Sequence, residues 1–313
     1  MNDKEESKAA ALPAQSADKE FITGIICAIA GVLCFAPGAL FIRMAAGIDP
    51  LEITLHRMAL ASLAIFIYAA AAKFDIRAKS PKEYAELAMF GLIAAAHFGC
   101  FVASLSFTFV SHSLALCYTA PIFAALFSRL ILSEKSSRKQ LLAIVITFTG
   151  IFILVGFEPA ISRKILFGDL LALISGAALG LYQSISRMYK DKYSLLKYKA
   201  NAYFFAALYL FAILITLRFS FYGDFSSVYT AYSIAGVAAS AFVCTLIGHA
   251  LINFALRRVG TVLVSLITTQ EVTGGIIFAI IFLDEKLSAL AFTGIAVSLA
   301  GIALVITGSE KNK

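Results

Sequence analysis

The chain is a succession of apolar runs, most of them about 20 residues or longer, separated by short polar or charged segments, and this pattern leaves few folds open. The runs fall near 21–46, 51–72, 84–108, 112–133, 140–157, 165–187, 196–217, 228–256, 261–283 and 288–308. In hydrocarbon a backbone must satisfy its own hydrogen bonds, and a run of about 20 residues suits a spanning helix where a barrel strand needs about 9–11. Composition agrees: 60% of residues are apolar, 14% are charged and the mean hydropathy is +0.88, against roughly 45–50% apolar and about 25% charged in soluble domains. The fold class is an all-α integral membrane protein of about ten transmembrane helices.

Residues 1–20 are polar and mixed in charge and read as a disordered tail. The apolar run that follows is too long for a signal-peptide core of about 7–15 residues, so it is the first span. With the N-terminus inside, the inner segments hold nineteen Lys and Arg and the outer segments five. This asymmetry places both termini, including residues 309–313, in the cytoplasm, and the expected location is a bacterial inner membrane. The net charge of +7 therefore sets topology and gives no reason to expect a nucleic-acid partner. There is no tryptophan, so an interfacial belt would use Tyr189, Tyr193 and Tyr198 on one side and Tyr222, Tyr229 and Tyr232 on the other. The five cysteines all lie in apolar runs without a Cys-x-x-Cys pair and read as buried small hydrophobes, with no metal or disulfide.

The chain repeats itself. TAPIFAALFSRLILSEK, 119–135, shifted by 151 residues, meets QEVTGGIIFAIIFLDEK, 270–286. Leu132, Glu134, Lys135 and Gly150 fall on Leu283, Glu285, Lys286 and Gly301. A shift of 144 brings Gly24, Arg43 and Met44 onto Gly168, Arg187 and Met188. Two halves, 21–157 and 165–308, each with an odd number of spans, must lie upside down relative to one another. Such inverted repeats place a substrate site near the midplane, between the halves.

The segments 49–63, 97–135, 167–188 and 253–286, with the Leu-x-Glu-Lys motif closing the fourth and ninth spans, resemble the drug/metabolite transporter superfamily, EamA type. The resemblance runs from Phe21 to Gly308. It implies two five-helix repeats, alternating access around a central cavity with the fifth and tenth spans peripheral, and export of amino acids or related metabolites. Import or exchange of a nucleoside-like cofactor such as S-adenosylmethionine, or efflux of cationic drugs, are the alternatives it leaves. One departure is Glu271-Val272, where the family commonly has Glu-Pro; no proline occurs after residue 160. Gly274-Gly275 is expected to supply the helix break instead.

Glu271 sits about ten residues from either end of its run, where an acidic side chain costs on the order of 2.5–3.5 kcal/mol. It must face the interior, where it would hold a substrate cation, carry a proton or brace a neighbour; Gln270 accompanies it. Pro121 frees the carbonyl of Cys117, and the opened turn would offer the hydroxyls of Tyr118 and Thr119 to a substrate. Pro37 is a second kink. Tyr182, Gln183 and Ser186 give the sixth span a polar side, with Ser184 bonded to its own helix. His97 and His249, in matching helices, read either as neutral packing residues or as two linings of one cavity. Arg57 is expected to snorkel or pair with Glu52, and Arg129 to reach headgroups. Gly176-x-x-x-Gly180 and Gly294, Gly301 and Gly308 form small-residue faces for helix contact, within the bundle or in a homodimer.

No ATP-binding loop, zinc motif or nucleophile elbow occurs. The chain reads as a cofactor-free secondary transporter, not an enzyme. Its partners would be a small-molecule substrate, the lipid bilayer and a coupling proton or counter-substrate. A non-transporting scaffold or sensor is the competing class.

Overall fold

The computed structural model describes residues 14–155, 162–221, 227–283 and 289–309; Tyr222, Glu285 and Lys286 lie outside them. The described residues form helices and no strand. The first span is Ala14–Phe35 continued by Gly38–Met44, and the second, third and fifth are Pro50–Ala71, Pro81–Ser104 and Arg138–Val155. The fourth is divided into Val110–Cys117 and Ala120–Leu132. The sixth and seventh are Arg163–Met188 and Leu195–Phe221. The eighth runs Ala231–Ala239, Ser240–Gly248 and His249–Leu256, its middle part a π-helix. The ninth is divided into Thr261–Thr268 and Glu271–Leu283, and the tenth is Ala289–Ser309. Among the described residues seven helices are long and apolar enough to cross a membrane unaided. The fifth, ninth and tenth complete the set of ten. The first helix begins at Ala14, inside the stretch expected to be a disordered tail.

Local chemistry marks where the spans start. Asp49 accepts from Leu51 N and Glu52 N with Pro50 at the first turn, Ser80 accepts from Glu83 N before Pro81, and Ser162 accepts from Ile165 N. Thr230 and Ser233 form a reciprocal capping box. These caps satisfy donors that lipid would leave unpaired.

Loop contacts sort the helix ends into two faces. On the face where the first span enters, Glu20 pairs with Arg258 at 2.6 Å and Glu134 pairs with Arg187 at 2.7 Å. Glu86 there takes Lys192 at 2.5 Å and the Tyr193 hydroxyl. On the opposite face Glu52 holds Arg218 and Tyr229, Gly47 O accepts from Val228 N, and Asp169 takes Thr108 and His112. The carboxylate of Glu86 raises Lys192 above the ordinary ammonium value. Burial, then Glu86, pushes the Tyr193 phenol up to about 12, so this cluster keeps its protons through physiological pH.

The packing has the symmetry of the repeat. The third span lies on the sixth and seventh as the eighth lies on the first and second, and the fourth lies on the sixth as the ninth lies on the first. Second and seventh, fourth and ninth, and fifth and tenth pack as pairs. The glycines make the symmetry atomic. A Cβ on Gly150 would stand 2.3 Å from Ser298 N, and one on Gly301 would stand 2.8 Å from Thr147 N. Thr147 and Ser298 are themselves 151 residues apart, and their side chain and carbonyl meet at 3.4 Å. Likewise Gly24 abuts Arg258 and Val259 on the entry face, while Gly168 abuts Phe107 and Thr108 on the other. Equivalent contacts on opposite faces are the signature of an inverted pair.

The glycine rows thus serve contacts within the chain. Gly176 meets the Cys117 and Leu116 carbonyls, Gly180 meets Phe123 and Ala124, and Gly274 meets Ala36. Tyr193 and Tyr198 depart from the expected interfacial belt: both are buried around Phe90, whereas Tyr229 and Tyr232 are exposed as expected.

Arg187 should matter more than the pair it makes. Glu134 is 39% exposed, which limits the ion pair to about 1 kcal/mol. Arg187 also donates to the Leu256 and Val259 carbonyls at 3.0 and 2.7 Å, closing the end of the eighth span. Arg187→Gln is therefore expected to lower the unfolding midpoint in detergent clearly more than Glu134→Gln, as read by a thiol-reactive dye on the buried cysteines.

Candidate functional site

Two helix breaks face each other across the repeat axis. In the fourth span the ladder stops at Tyr118 and Thr119 and restarts with Pro121 in the first turn. Pro121 carries no N–H and its ring excludes the carbonyl four residues back. The freed Cys117 carbonyl then lies against Gly176, where a side chain would clash. In the ninth span the break falls at Thr269 and Gln270, the positions equivalent to Tyr118 and Thr119. It does not fall at Gly274-Gly275, through which the helix is continuous. Here hydroxyls take the role of proline. Thr268 Oγ1 donates to Val264 O and Thr269 Oγ1 to Leu266 O, both at 2.7 Å, and such back-bonding competes with the helix ladder. Pro37 lies in a break of the first span, between Phe35 and Gly38.

This break explains how a carboxylate is accommodated mid-span. Glu271 is the first residue of a new helix, where the dipole favours negative charge. The Tyr118 hydroxyl hydrogen-bonds to it from the opposing break, and Arg57 interacts with it electrostatically from the second span. Arg57 neither snorkels nor pairs with Glu52, which is occupied by Arg218 and Tyr229. Its guanidinium turns inward, donating from Nε to Thr245 Oγ1 at 3.2 Å and standing 5.8 Å above the Phe98 ring.

The π-helix supplies this partner. Thr245 Oγ1 also donates to Ser240 O five residues back, and the Thr245 carbonyl accepts the Tyr203 hydroxyl at 2.9 Å. Wider π turns free backbone groups for such bonds. The next residues carry His249, whose ring sits between Phe35 and Phe98 at 4.7 and 5.2 Å. Phe98 and His249 are 151 residues apart, so they are repeat mates meeting at the axis. The position matching His97 is Gly248, one residue before His249. His97 Nδ1 lies 3.1 Å from Ser175 O, which makes that nitrogen the donor, while Ser175 Oγ donates to His97 O at 2.8 Å. His97 therefore joins the third and sixth spans and also faces the cavity.

That cavity is lined by Ala94, His97, Phe98, Leu179, Tyr182, Lys199, Tyr203 and His249. The space it leaves free is about that of one water. In this conformation that cavity has no room for an organic molecule.

The expected site residues thus divide. Glu271, Tyr118, Tyr182, His97 and His249 come to the central region. Gln270 turns away: its amide donates to Ser298 Oγ at 2.6 Å, and its carbonyl accepts from Thr273 Oγ1 at 2.9 Å, bracing the tenth span. Thr119 Oγ1 is bonded to Leu116 O of its own turn. Ser184 bonds its own helix through Gly180 O, and Ser186 donates to Asn253. Gln183 is buried, and neither amide atom has a partner among the described residues. Sequence reasoning missed Lys199 and Tyr203, because a lysine four residues into a span reads as a topology charge. The His112–Asp169 pair was missed as well, since its members lie 57 residues apart.

Inverted halves whose helices break around a shared carboxylate have the architecture of a membrane transporter. The sequence matches the model of the EamA-like transporter family over residues 22–156 and 166–307, and the chain belongs to that family. A solved crystal structure, described only as that of a protein, superposes with a TM-score of 0.77 at 14% identity, covering 95% of this chain and 99% of the other. At that identity the likeness is one of fold. No curated protein matches the sequence.

Proposed function

We propose that this transporter carries a small amino acid or closely related zwitterionic metabolite by alternating access, as an exporter in a bacterial cytoplasmic membrane with both termini inside. The observation that carries this reading is Glu271 at the start of a half-helix, bonded by Tyr118 and within the field of Arg57, where the halves meet. A substrate ammonium would compete with Arg57 for the carboxylate. A gradient of protons or of a counter-substrate would drive the cycle, since the chain carries no phosphate-binding loop.

The test is counterflow into proteoliposomes loaded with one amino acid at a time, using a panel of all twenty with S-adenosylmethionine and a quaternary ammonium dye alongside. Saturable uptake of at least one zwitterion, competed by its unlabelled form, is expected. Uptake of the dye alone would support cation efflux instead, and no saturable uptake of any member would contradict the reading.

A further inference from the structure

The central region holds a second basic side chain, with which no carboxylate among the described residues pairs. Lys199 is 2% exposed, and its position four residues after Leu195 puts it about 6 Å below the entry face. Its ammonium donates to Tyr182 OH at 2.8 Å and to Tyr203 OH at 3.0 Å, with the two rings 5.1 and 4.7 Å away. Tyr203 passes its own proton to Thr245 O, so its oxygen is free to accept from the ammonium. An ammonium has three donors, and the third meets no acceptor among the described residues.

No carboxylate among the described residues pairs with Lys199 there either. Glu271 acts on Arg57, Tyr118, Cys117 and Cys244, and the cavity that Lys199 lines contains no acidic side chain. Arg57 and Lys199 both impose their fields on His249. Among the described residues the region therefore offers two basic groups to one carboxylate. Buried charge is ordinarily paired, and a pocket that leaves one donor of a buried ammonium unused has the chemistry of an anion subsite.

We propose that Lys199, held by Tyr182 and Tyr203, is the anchoring group for an anionic moiety of the transported molecule, a carboxylate or a phosphate. Phe98 and the two tyrosine rings form aromatic walls beside it. This rests on reading the central region as the substrate path and adds a polarity: the anionic end lies toward the entry face, and any ammonium toward Glu271.

The probe is ligand-induced stabilisation of the full chain in detergent, read by thiol-dye unfolding because the protein lacks tryptophan. The panel is the twenty amino acids, the amines left by removing their carboxylates, small mono- and dicarboxylates, and inorganic phosphate. At least one anion should raise the midpoint by about 3 °C or more, and the matching amine should not. Carboxylates and phosphate separately active would identify the source. Lys199→Met should abolish the shift, and Lys199→Arg should keep part of it. Should Lys199→Met fail to fold, Lys199→Gln and the acid-versus-amine comparison in the unaltered protein still decide. Equal stabilisation by acid and amine, an undiminished shift in Lys199→Met, or no shift from any anion would overturn the subsite. Saturable amino-acid counterflow that persists in Lys199→Met would overturn it while leaving the transport reading intact.

Discussion

Replacing Gly150 with valine is expected to force the fifth and tenth spans apart and cost at least about 3 kcal/mol, the upper part of the range for overpacking a filled interior. The first atom added already stands 2.3 Å from a backbone nitrogen and 2.7 Å from both Ser298 Cα and the Gly294 carbonyl. Backbone in a helix cannot rotate aside as a flexible side chain does. Gly301→Val should have a comparable effect through the same contact seen from the other half, where Thr147 N is 2.8 Å away. Gly260→Ala is the control, because nothing lies within 4 Å of its Cβ and its backbone is extended at φ −60°. Unfolding midpoints of the three variants in detergent check the ordering. A Gly150→Val protein as stable as the Gly260→Ala one would mean that the two helices do not cross where the repeat places them.

The repeat was legible in the sequence because it is written in residues that have few substitutes. Gly150 and Gly301 need close approach, and the Leu-x-Glu-Lys ending sets a helix terminus, so both survive as a readable offset. Glu271 was legible for a different reason: a mid-span carboxylate is conspicuous among apolar neighbours. Its setting was not. Glycine pairs and threonines both loosen helices, and the choice between Gly274-Gly275 and Thr268-Thr269 depends on what packs beside them. Ala36 fills the space over Gly274, so that pair serves contact and the hydroxyls serve the break.

Charges near helix ends were the hardest to place. Arg57 and Lys199 lie close enough to their ends to read as snorkelling or topological, and only the packing of the second and seventh spans turns them inward. Gln270 shows the converse. A conspicuous polar residue beside Glu271, it is taken up by Ser298, 28 residues further on, which no local pattern announces.

Glu271→Gln is the second large expected effect. The amide keeps the size of the side chain and a hydrogen-bonding group for Tyr118, so folding should survive. It removes the charge that faces Arg57 and that would receive a substrate ammonium. Opposite charges in a poorly polar interior interact by on the order of several kcal/mol, and loss of even half of about 3 kcal/mol is a tenfold fall in affinity. Transport by Glu271→Gln should therefore drop by at least about tenfold, with an unfolding midpoint near that of the unaltered protein.

The central claim is that this carboxylate, poised between the two inverted halves, works in the transport cycle. Counterflow by Glu271→Gln in proteoliposomes from pH 5 to 8 tests it most directly. The account predicts uptake near background at every pH from a protein that is folded and inserted; wild-type uptake across the whole range would reduce Glu271 to a brace for a broken helix.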